Sequence, residues 1–224
     1  MKTVPLRVDF AGGWLDVPRF SRPGGFIVNC AITPMVSLEK WDYKIGGGIG
    51  GSAAKAILDG VDPFEFESKQ AGWQDPAVIL ETGLCVWRSG VNPVLHAKYN
   101  PDWLNGKMAI VFTEDRRITT KEICANRKDF RLIVDAGCIA EQAIRSKKIE
   151  DLGQAIGTSY MAQIDEGMKA LEWCKTCIAM KYCGSGWGGY AFLLFDRKDY
   201  RDQFVADNGA IAIEPYMKNA ADHC

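Results

Sequence analysis

A glycine-rich segment in the first quarter of the chain is the strongest chemical feature of this sequence. Residues 46–54 read GGGIGGSAA, so a run of glycines leads directly into residues that favour a helix start. The free N–H groups of such a loop and the positive end of the helix dipole together form an anion site, for which phosphate is the natural ligand. The segment is neither a Walker A loop nor a dinucleotide-binding G-x-G-x-x-G. A flexible linker before a helix is the alternative interpretation.

A second glycine cluster, GSGWGG at residues 184–189, precedes an apolar strand-like run. Its glycines allow the backbone to approach the first loop or a ligand closely, or they form a tight turn. Trp14, Trp41, Trp73 and Trp187 lie in or beside these segments. Their rings could stack on a sugar or a base, although core packing explains each of them equally well.

The eight cysteines include one C-x-x-C pair, Cys174 and Cys177, with Cys183 a few residues further on. Zinc binding or redox chemistry by these thiols is an alternative function for the chain. The pair has no nearby His and no second C-x-x-C, so reduced thiols are the default. The N-terminal residues lack the apolar run of a signal peptide, and no stretch approaches the roughly 20 apolar residues that span a bilayer. We therefore expect a cytoplasmic protein without a membrane partner.

The composition favours a small-molecule partner. The 224 residues contain 27 Lys and Arg against 28 Asp and Glu, and 47% of them are hydrophobic. Such a chain can bury the core of one domain, or of two lobes sharing a sheet. Because the charges are interleaved, the sequence has no basic stripe for nucleic acid. A homodimer is possible.

The hydrophobic pattern mixes strands and helices without strict β-α-β repetition, which predicts an α+β fold. Pro34 is expected to break the strand pattern of residues 26–40. Gly60 is expected to end the helix that follows the glycine loop. Strands are also predicted at 4–10, 84–96, 107–112, 190–195 and 210–215, and helices at 129–148 and 150–176. The charged stretch at 196–203 is expected to start a last helix.

Four segments, in this order, resemble the signature motifs of the GHMP small-molecule kinases. They are PLRVDFAGGWLDVP, GGGIGGSAA, AGWQDP and CGSGWGGYAFLLF, and the first is most similar to its counterpart in fucokinases and heptose-phosphate kinases. The resemblance implies a shortened, two-lobed α+β fold. Its N-terminal lobe, residues 1–105, would resemble domain 2 of ribosomal protein S5. Its C-terminal lobe, residues 106–224, would be ferredoxin-like.

The resemblance also implies an activity, the ATP- and Mg²⁺-dependent phosphorylation of a sugar or sugar phosphate hydroxyl. Asp75, in AGWQDP, would be the catalytic base and Arg7, in VPLRVDF, the cation on the transferred phosphate. Phosphoryl transfer requires N–H groups and Mg²⁺ on the phosphates, a cation on the transferred group and a carboxylate near the attacking hydroxyl, which agrees with these roles. The alternative for Arg7 and Asp75 is a solvated or paired surface position, and the alternative for Asp16 is turn capping. Gly13, Trp14 and Asp16 would contact the substrate, and Mg²⁺ would be bound by Ser52 with Glu65 or Glu67. The phosphate and nucleotide site would comprise Gly46, Gly47, Gly48, Ile49, Gly50, Gly51, Ser52, Ala53 and Gly186.

The sequence departs from the family pattern at two places. Gly51 stands where the family usually has a Ser, which removes a hydroxyl and keeps the backbone of the loop. Only residues 17–45 separate Asp16 from the glycine loop, where the family has a longer region that holds the nucleotide base. The alternative prediction is therefore a catalytically degenerate homologue that binds sugar or nucleotide without turnover.

Overall fold

A computed structural model of the chain describes residues 2–66, 72–114 and 128–218. These ranges contain eight strands, β1 to β8, and six α-helices, α1 to α6. The strands are Val4–Ala11, Phe26–Val36, Leu84–Arg88, Val94–Tyr99, Met108–Glu114, Ala179–Tyr182, Gly189–Leu194 and Ile211–Pro215. The helices are Gly51–Asp59, Pro63–Phe66, Gln74–Glu81, Phe130–Ser146, Ile149–Asp165 and Lys198–Asn208. Short 3-10 helices lie at Pro18–Phe20 and Asp102–Leu104.

The strands form one antiparallel sheet in the order β4-β3-β2-β8-β5-β7-β6, and β1 pairs with β2 beside it. The last strand, β8, lies between β2 and β5, so it joins the early strands to the later ones. This mixture of an antiparallel sheet with helices confirms the α+β prediction. A lobe boundary between residues 105 and 106 stays a prediction.

Helices α4 and α5 pack against each other and against β1, β2 and β6. Asp129 caps α4, because its side chain accepts hydrogen bonds from the N–H groups of Arg131 and Leu132. Lys147 ends α4 in the left-handed conformation, as the predicted break near this position requires. No helix in the described ranges combines the length and the apolar composition needed to cross a membrane.

Strand β2 continues through Pro34, where the sequence predicted a break. The pairing of β1 with β2 is irregular at this point, since Val4 pairs with Val36 and Leu6 pairs with Ile32. A proline lacks the N–H group that a regular ladder needs, and a bulge tolerates that loss. The predicted strand at 84–96 is likewise two strands, β3 and β4, joined by a turn at 89–93.

Helix α5 ends at Asp165, whereas the apolar spacing predicted a helix to residue 176. Gly167 has a φ of 97°, a left-handed value that ends the helical backbone. Beyond it the side chain of Met168 packs against the second glycine cluster. The helical spacing of apolar residues beyond 165 therefore reflects burial in an irregular segment.

Candidate active site

Strand β1 places two charged side chains beside the glycine loop. Its alternation directs Leu6 and Val8 into the main core and leaves Arg7 and Asp9 on the other face. Arg7 Nη1 donates a hydrogen bond to Asp9 Oδ1 at 2.8 Å. The other edge of the guanidinium contacts Asp75 Oδ1, with Nε at 2.7 Å and Nη2 at 2.5 Å. The buried Arg7 therefore connects an acid on its own strand to one 68 positions later.

Asp75 lies in the first turn of helix α3. The helix dipole favours a negative charge at this end of the helix. Its side chain is 21% exposed, while that of Arg7 is 3% exposed. Asp75 is thus the point at which the buried charge cluster reaches the surface.

Asp9 has a second cationic partner that the sequence analysis missed. Lys181, on β6, donates hydrogen bonds from Nζ to the carboxylate of Asp9 and, at 3.3 Å, to its main-chain oxygen. Asp9 and Lys181 are each 1% exposed. The sequence around each residue gives a weak signal for such a pair. Asp9 follows Arg7 by two positions in an apolar strand, and Lys181 lies within an apolar run.

The charges in this cluster stabilise one another. Burial by itself would lower the pKa of Arg7, but the negative charges of Asp75 and Asp9 outweigh it and raise this pKa. Burial by itself would raise the pKa of Asp9, but the charges of Lys181 and Arg7 outweigh it and hold this pKa below its usual value. Arg7 therefore remains a cation throughout the physiological range.

The predicted glycine loop runs beside this cluster and ends at α1. Gly46, Gly48 and Gly50 all have positive φ, and Ile49 O accepts a hydrogen bond from the Arg7 N–H group at 3.1 Å. The first N–H groups of an α-helix have no intrahelical partners. Gly50, which precedes α1, has no side chain that could cap them. These N–H groups are the donors that a phosphate would use.

The second glycine cluster packs against the first, as close backbone approach requires. The Tyr190 N–H group donates to Gly47 O at 2.9 Å. A Cβ on Gly189 would lie 2.6 Å from Gly47 O, and one on Gly184 would lie 3.0 Å from Gly48 Cα. Glycine is needed at both positions because any larger residue would collide with the loop backbone.

Gly186, which the sequence analysis assigned to the phosphate site, faces a different neighbour. A Cβ at this position would lie 2.4 Å from the sulfur of Met168. The glycines that meet the first loop are Gly184 and Gly189 instead, and a phosphate contact by Gly186 stays a prediction.

Asp16 is buried beneath the start of α3. Its Oδ2 accepts a hydrogen bond from the Gln74 N–H group at 3.2 Å, and its Oδ1 accepts one from Gln74 Nε2 at 3.1 Å. Gly72 has a φ of 88°, and a Cβ there would lie 2.0 Å from Asp16 Oδ2. In this arrangement Asp16 supports the turn that carries Asp75, and its oxygens are occupied by Gln74.

Burial, followed by the charge of Asp75, raises the pKa of Asp16 to about 7. The buried Gln74 Oε1 lacks a hydrogen-bond partner in the described part of the chain. A protonated Asp16 could donate to this oxygen if the Gln74 amide rotated. The arrangement is therefore compatible with a neutral Asp16.

We expect Asp16 to make stability decrease as the pH rises from about 4 to about 7. The unfolded chain releases this proton near pH 4, whereas the folded chain holds it up to about pH 7. Protonation of Asp16 thus stabilises the folded state at low pH, and this contribution is lost through the window. Asp16→Asn should remove the effect, because Asn is always neutral and can donate to Gln74.

Urea unfolding of the wild type and Asp16→Asn at several pH values measures this effect. Other carboxylates titrate in both proteins, so the informative quantity is the difference between their free energies of unfolding. We expect this difference to move in favour of the variant by up to about 1.4 kcal/mol per pH unit. A difference that does not change with pH would show that Asp16 is ionised in the folded protein.

Gly13 and Trp14 lie in the loop between β1 and Asp16. A Cβ on Gly13 would lie 3.4 Å from Asp9 Oδ2, so this backbone borders the charge cluster. The Trp14 ring has Lys128 Nζ at 3.9 Å from its centroid, and Phe20 packs against it edge-on. Substrate contacts by Gly13 and Trp14 stay predictions.

Mg²⁺ binding by Ser52 with Glu65 or Glu67 stays a prediction. Ser52 lies in the first turn of α1, Glu65 is exposed on the short helix α2, and Glu67 lies outside the described residues. No group of three or more His, Cys, Asp or Glu in the described ranges could hold a metal ion. Mg²⁺ usually keeps several waters and binds chiefly through substrate phosphates, so the loop fits a metal that arrives with its nucleotide.

The indole N–H group of Trp41 indicates that a polar ligand binds at the glycine loop. The buried Trp41 Nε1 lacks a hydrogen-bond partner among the described residues, and this ring approaches within 3.6 Å of a Cβ built on Gly51. A buried donor without a partner is costly, so its presence beside the glycine loop fits an acceptor such as a phosphate oxygen.

The three cysteines proposed as a thiol site lie in two parts of the fold. Cys174 and Cys177 pack in a cluster with Met180 and Phe195, whereas Cys183 belongs to the main core beneath the glycine loop. Burial, followed by the charge of Asp9, raises the pKa of Cys183 to about 12. The geometry therefore does not support metal or redox chemistry by these three thiols together.

Solved structures of GHMP-family kinases share this architecture. The Methanococcus jannaschii mevalonate kinase is 12% identical with a TM-score of 0.69, and the alignment covers 97% of this chain and 98% of that one. A D-glycero-D-manno-heptose 1-phosphate kinase from Bacteroides thetaiotaomicron is 14% identical with a TM-score of 0.60, covering 97% and 99%. The Lactococcus lactis galactokinase complexed with galactose is 12% identical with a TM-score of 0.60, covering 96% and 91%. No protein-family model and no curated protein matches the sequence. The chain therefore has the GHMP kinase fold. This assignment rests on structural similarity and not on sequence similarity.

Proposed function

From this fold we propose that the protein transfers a phosphoryl group from ATP to a hydroxyl of a small molecule. The observation that carries the proposal is the ion pair between Arg7 and Asp75 beside the glycine loop. Phosphoryl transfer needs a cation, a carboxylate and a set of N–H donors in one place. These groups come from β1, α3 and the start of α1.

Each group has a defined chemical task. The N–H groups at the start of α1 would bind phosphate oxygens, and Arg7 would neutralise charge on the transferred group. Asp75 would accept the proton of the attacking hydroxyl and orient its oxygen. Mg²⁺, carried by the nucleotide and contacted by Ser52, would supply further positive charge.

A sugar or sugar phosphate is the acceptor class that we propose. The N-terminal motif resembles that of sugar kinases, and a heptose 1-phosphate kinase and a galactokinase are among the structures with the same fold. A mevalonate kinase shares the fold as well, so the fold alone does not select a sugar. A cytoplasmic location and a homodimer stay predictions.

A binding protein without turnover is the second candidate function. Strand β2 occupies 26–36, which leaves only residues 37–45 between this strand and the glycine loop. A base pocket in this region would be small. Such a protein would bind a sugar or nucleotide and leave ATP intact.

The proposal is tested by measuring ATP binding with calorimetry and ADP release with Mg²⁺ and a panel of sugars, sugar phosphates and mevalonate. We expect micromolar to millimolar ATP binding and ADP release that depends on one acceptor class. Release with mevalonate alone would contradict the sugar assignment. Binding without release would favour the second function, and the absence of both would exclude a kinase.

A matched pair of glycine variants tests whether the loop binds the nucleotide. Gly48 and Gly60 both have positive φ, but a Cβ on Gly48 would lie 2.3 Å from Cys183 O, whereas one on Gly60, at the far end of α1, meets nothing within 4 Å. Gly48→Ala should therefore displace the loop and weaken ATP binding at least tenfold. Gly60→Ala should cost only about 1 kcal/mol of backbone strain and leave ATP affinity within threefold. Wild-type ATP affinity in both variants would place the nucleotide elsewhere.

A further inference from the structure

The buried pair of Asp9 and Lys181 reaches the candidate active site through Arg7. We infer that Asp9 and Lys181 are positioning residues that hold the guanidinium of Arg7 in its orientation toward Asp75. The expected effect on turnover rests on the proposed function. The expected effect on Arg7 itself rests on geometry alone.

The carboxylate of Asp9 is held from three parts of the chain. Oδ1 accepts hydrogen bonds from Arg7 Nη1 at 2.8 Å and from the Gly184 N–H group at 2.9 Å. Oδ2 accepts from Lys181 Nζ. Donors from β1, β6 and the second glycine cluster thus fix this carboxylate in a buried position.

A fixed Asp9 in turn fixes the direction of Arg7. The guanidinium is planar and its N–H groups form a rigid fork. Because Nη1 is bound to Asp9, the edge formed by Nε and Nη2 points at Asp75. The ammonium group of a lysine at this position would have no fixed edge to direct at Asp75.

Lys181 neutralises the charge of Asp9, so Asp9 does not draw the Arg7 guanidinium away from Asp75. With Lys181 present, the two cations and the carboxylates of Asp9 and Asp75 balance in charge. Without Lys181, the buried Asp9 would retain Arg7 as its cation among the described residues. Attraction between buried charges is strong, so Arg7 would move toward Asp9 and loosen its contact with Asp75.

The test compares Lys181→Met and Lys181→Arg with the wild type. The readouts are kcat, KM and the ¹⁵N–¹H resonance of Arg7 Nε, assigned by its loss in Arg7→Lys. For Lys181→Met we expect a displaced, faster-exchanging Nε–H resonance and a kcat about 100-fold lower, because small misplacements of active-site groups have effects of this size. KM values should stay within threefold. Lys181→Arg should recover kcat to within tenfold of the wild type, because it restores the cation.

Arg201→Met is the matched control for losing a buried cation. Arg201 is 2% exposed, and its Nη2 binds Glu214 at 2.9 Å. Its Nη1 donates to Met108 O at one end of β5. The other end of β5 pairs with Gly189, which packs against the glycine loop. The two ends of this strand are about 20 Å apart, so Arg201 lies far from the candidate site. We expect this variant to be less stable, with the Arg7 resonance unchanged and kcat within twofold.

Lys181→Met with an unchanged Arg7 resonance and unchanged kcat would overturn the inference. If this variant does not fold, the double variant Asp9→Asn with Lys181→Met removes both charges and leaves a neutral pair. A folded double variant with a displaced Arg7 resonance and reduced kcat supports positioning, whereas wild-type values of both would reduce the pair to a structural role. If the wild type transfers no phosphoryl group, the proposed function fails, and the Arg7 resonance still tests the inference.

Discussion

Asp75→Asn should lower kcat by about 1,000-fold, the range expected for losing a general base. Asn has nearly the same shape, and its Oδ1 can still accept the hydrogen bond from Arg7 Nε that Asp75 accepts at 2.7 Å. The substitution therefore removes the negative charge and the proton acceptor and leaves the local geometry in place. The measurement is steady-state ADP release with the acceptor identified by the screen.

Asp59→Asn is a suitable control for this variant. Asp59 is an exposed acid on α1 that pairs with Lys55 at 2.8 Å. Such a surface pair contributes about 0.2–1 kcal/mol, so kcat should stay within twofold of the wild type. Undiminished turnover by Asp75→Asn would reject Asp75 as the base and would require another group near the acceptor hydroxyl.

Arg7→Met should cause the second large effect, lowering kcat by about 1,000-fold and the stability by about 3–5 kcal/mol. Turnover falls because the cation expected at the transferred phosphate is gone. Stability falls because the buried Asp9 keeps only Lys181 and the Gly184 N–H group among the described partners of its carboxylate. Urea unfolding measures the free-energy loss, and single-turnover kinetics measure the loss of phosphoryl transfer.

Arg7→Lys separates charge from geometry. A lysine keeps the positive charge, but a single ammonium cannot reproduce a planar fork that contacts Asp9 on one edge and Asp75 on the other. We expect it to recover most of the stability and a small part of kcat. Full recovery of kcat by Lys would show that charge alone suffices, and a stable, active Arg7→Met would exclude Arg7 from both roles.

Local sequence predicted much of the structure that carries the site. The glycine run and the Ala-rich residues after it predicted the loop and α1, which ends before the left-handed Gly60 as expected. The alternation in VPLRVDF predicted β1, and helical spacing predicted α4 and most of α5. These features depend on backbone preferences and on residues within one or two turns of each other.

Other features depended on contacts between distant segments. The sequence assigned no role to Asp9 or Lys181, because the two residues are 172 positions apart and each looks like an isolated charge in an apolar strand. The sequence did not show that Asp16 lies under α3 with its oxygens bonded to Gln74, and the predicted contact of Asp16 with a sugar stays a prediction. The end of α5 was missed because apolar spacing continued past the glycine that stops the helix.

The sequence by itself determined where the loop, the strands and the long helices form, since periodicity and glycine content act locally. Only the tertiary structure decided that β8 inserts between β2 and β5, that two glycine clusters meet and that Arg7 lies between two acids. The physical reason is that a buried charge is stable only beside a partner. Which partner it meets depends on how the sheet and helices pack, and that packing involves the whole chain.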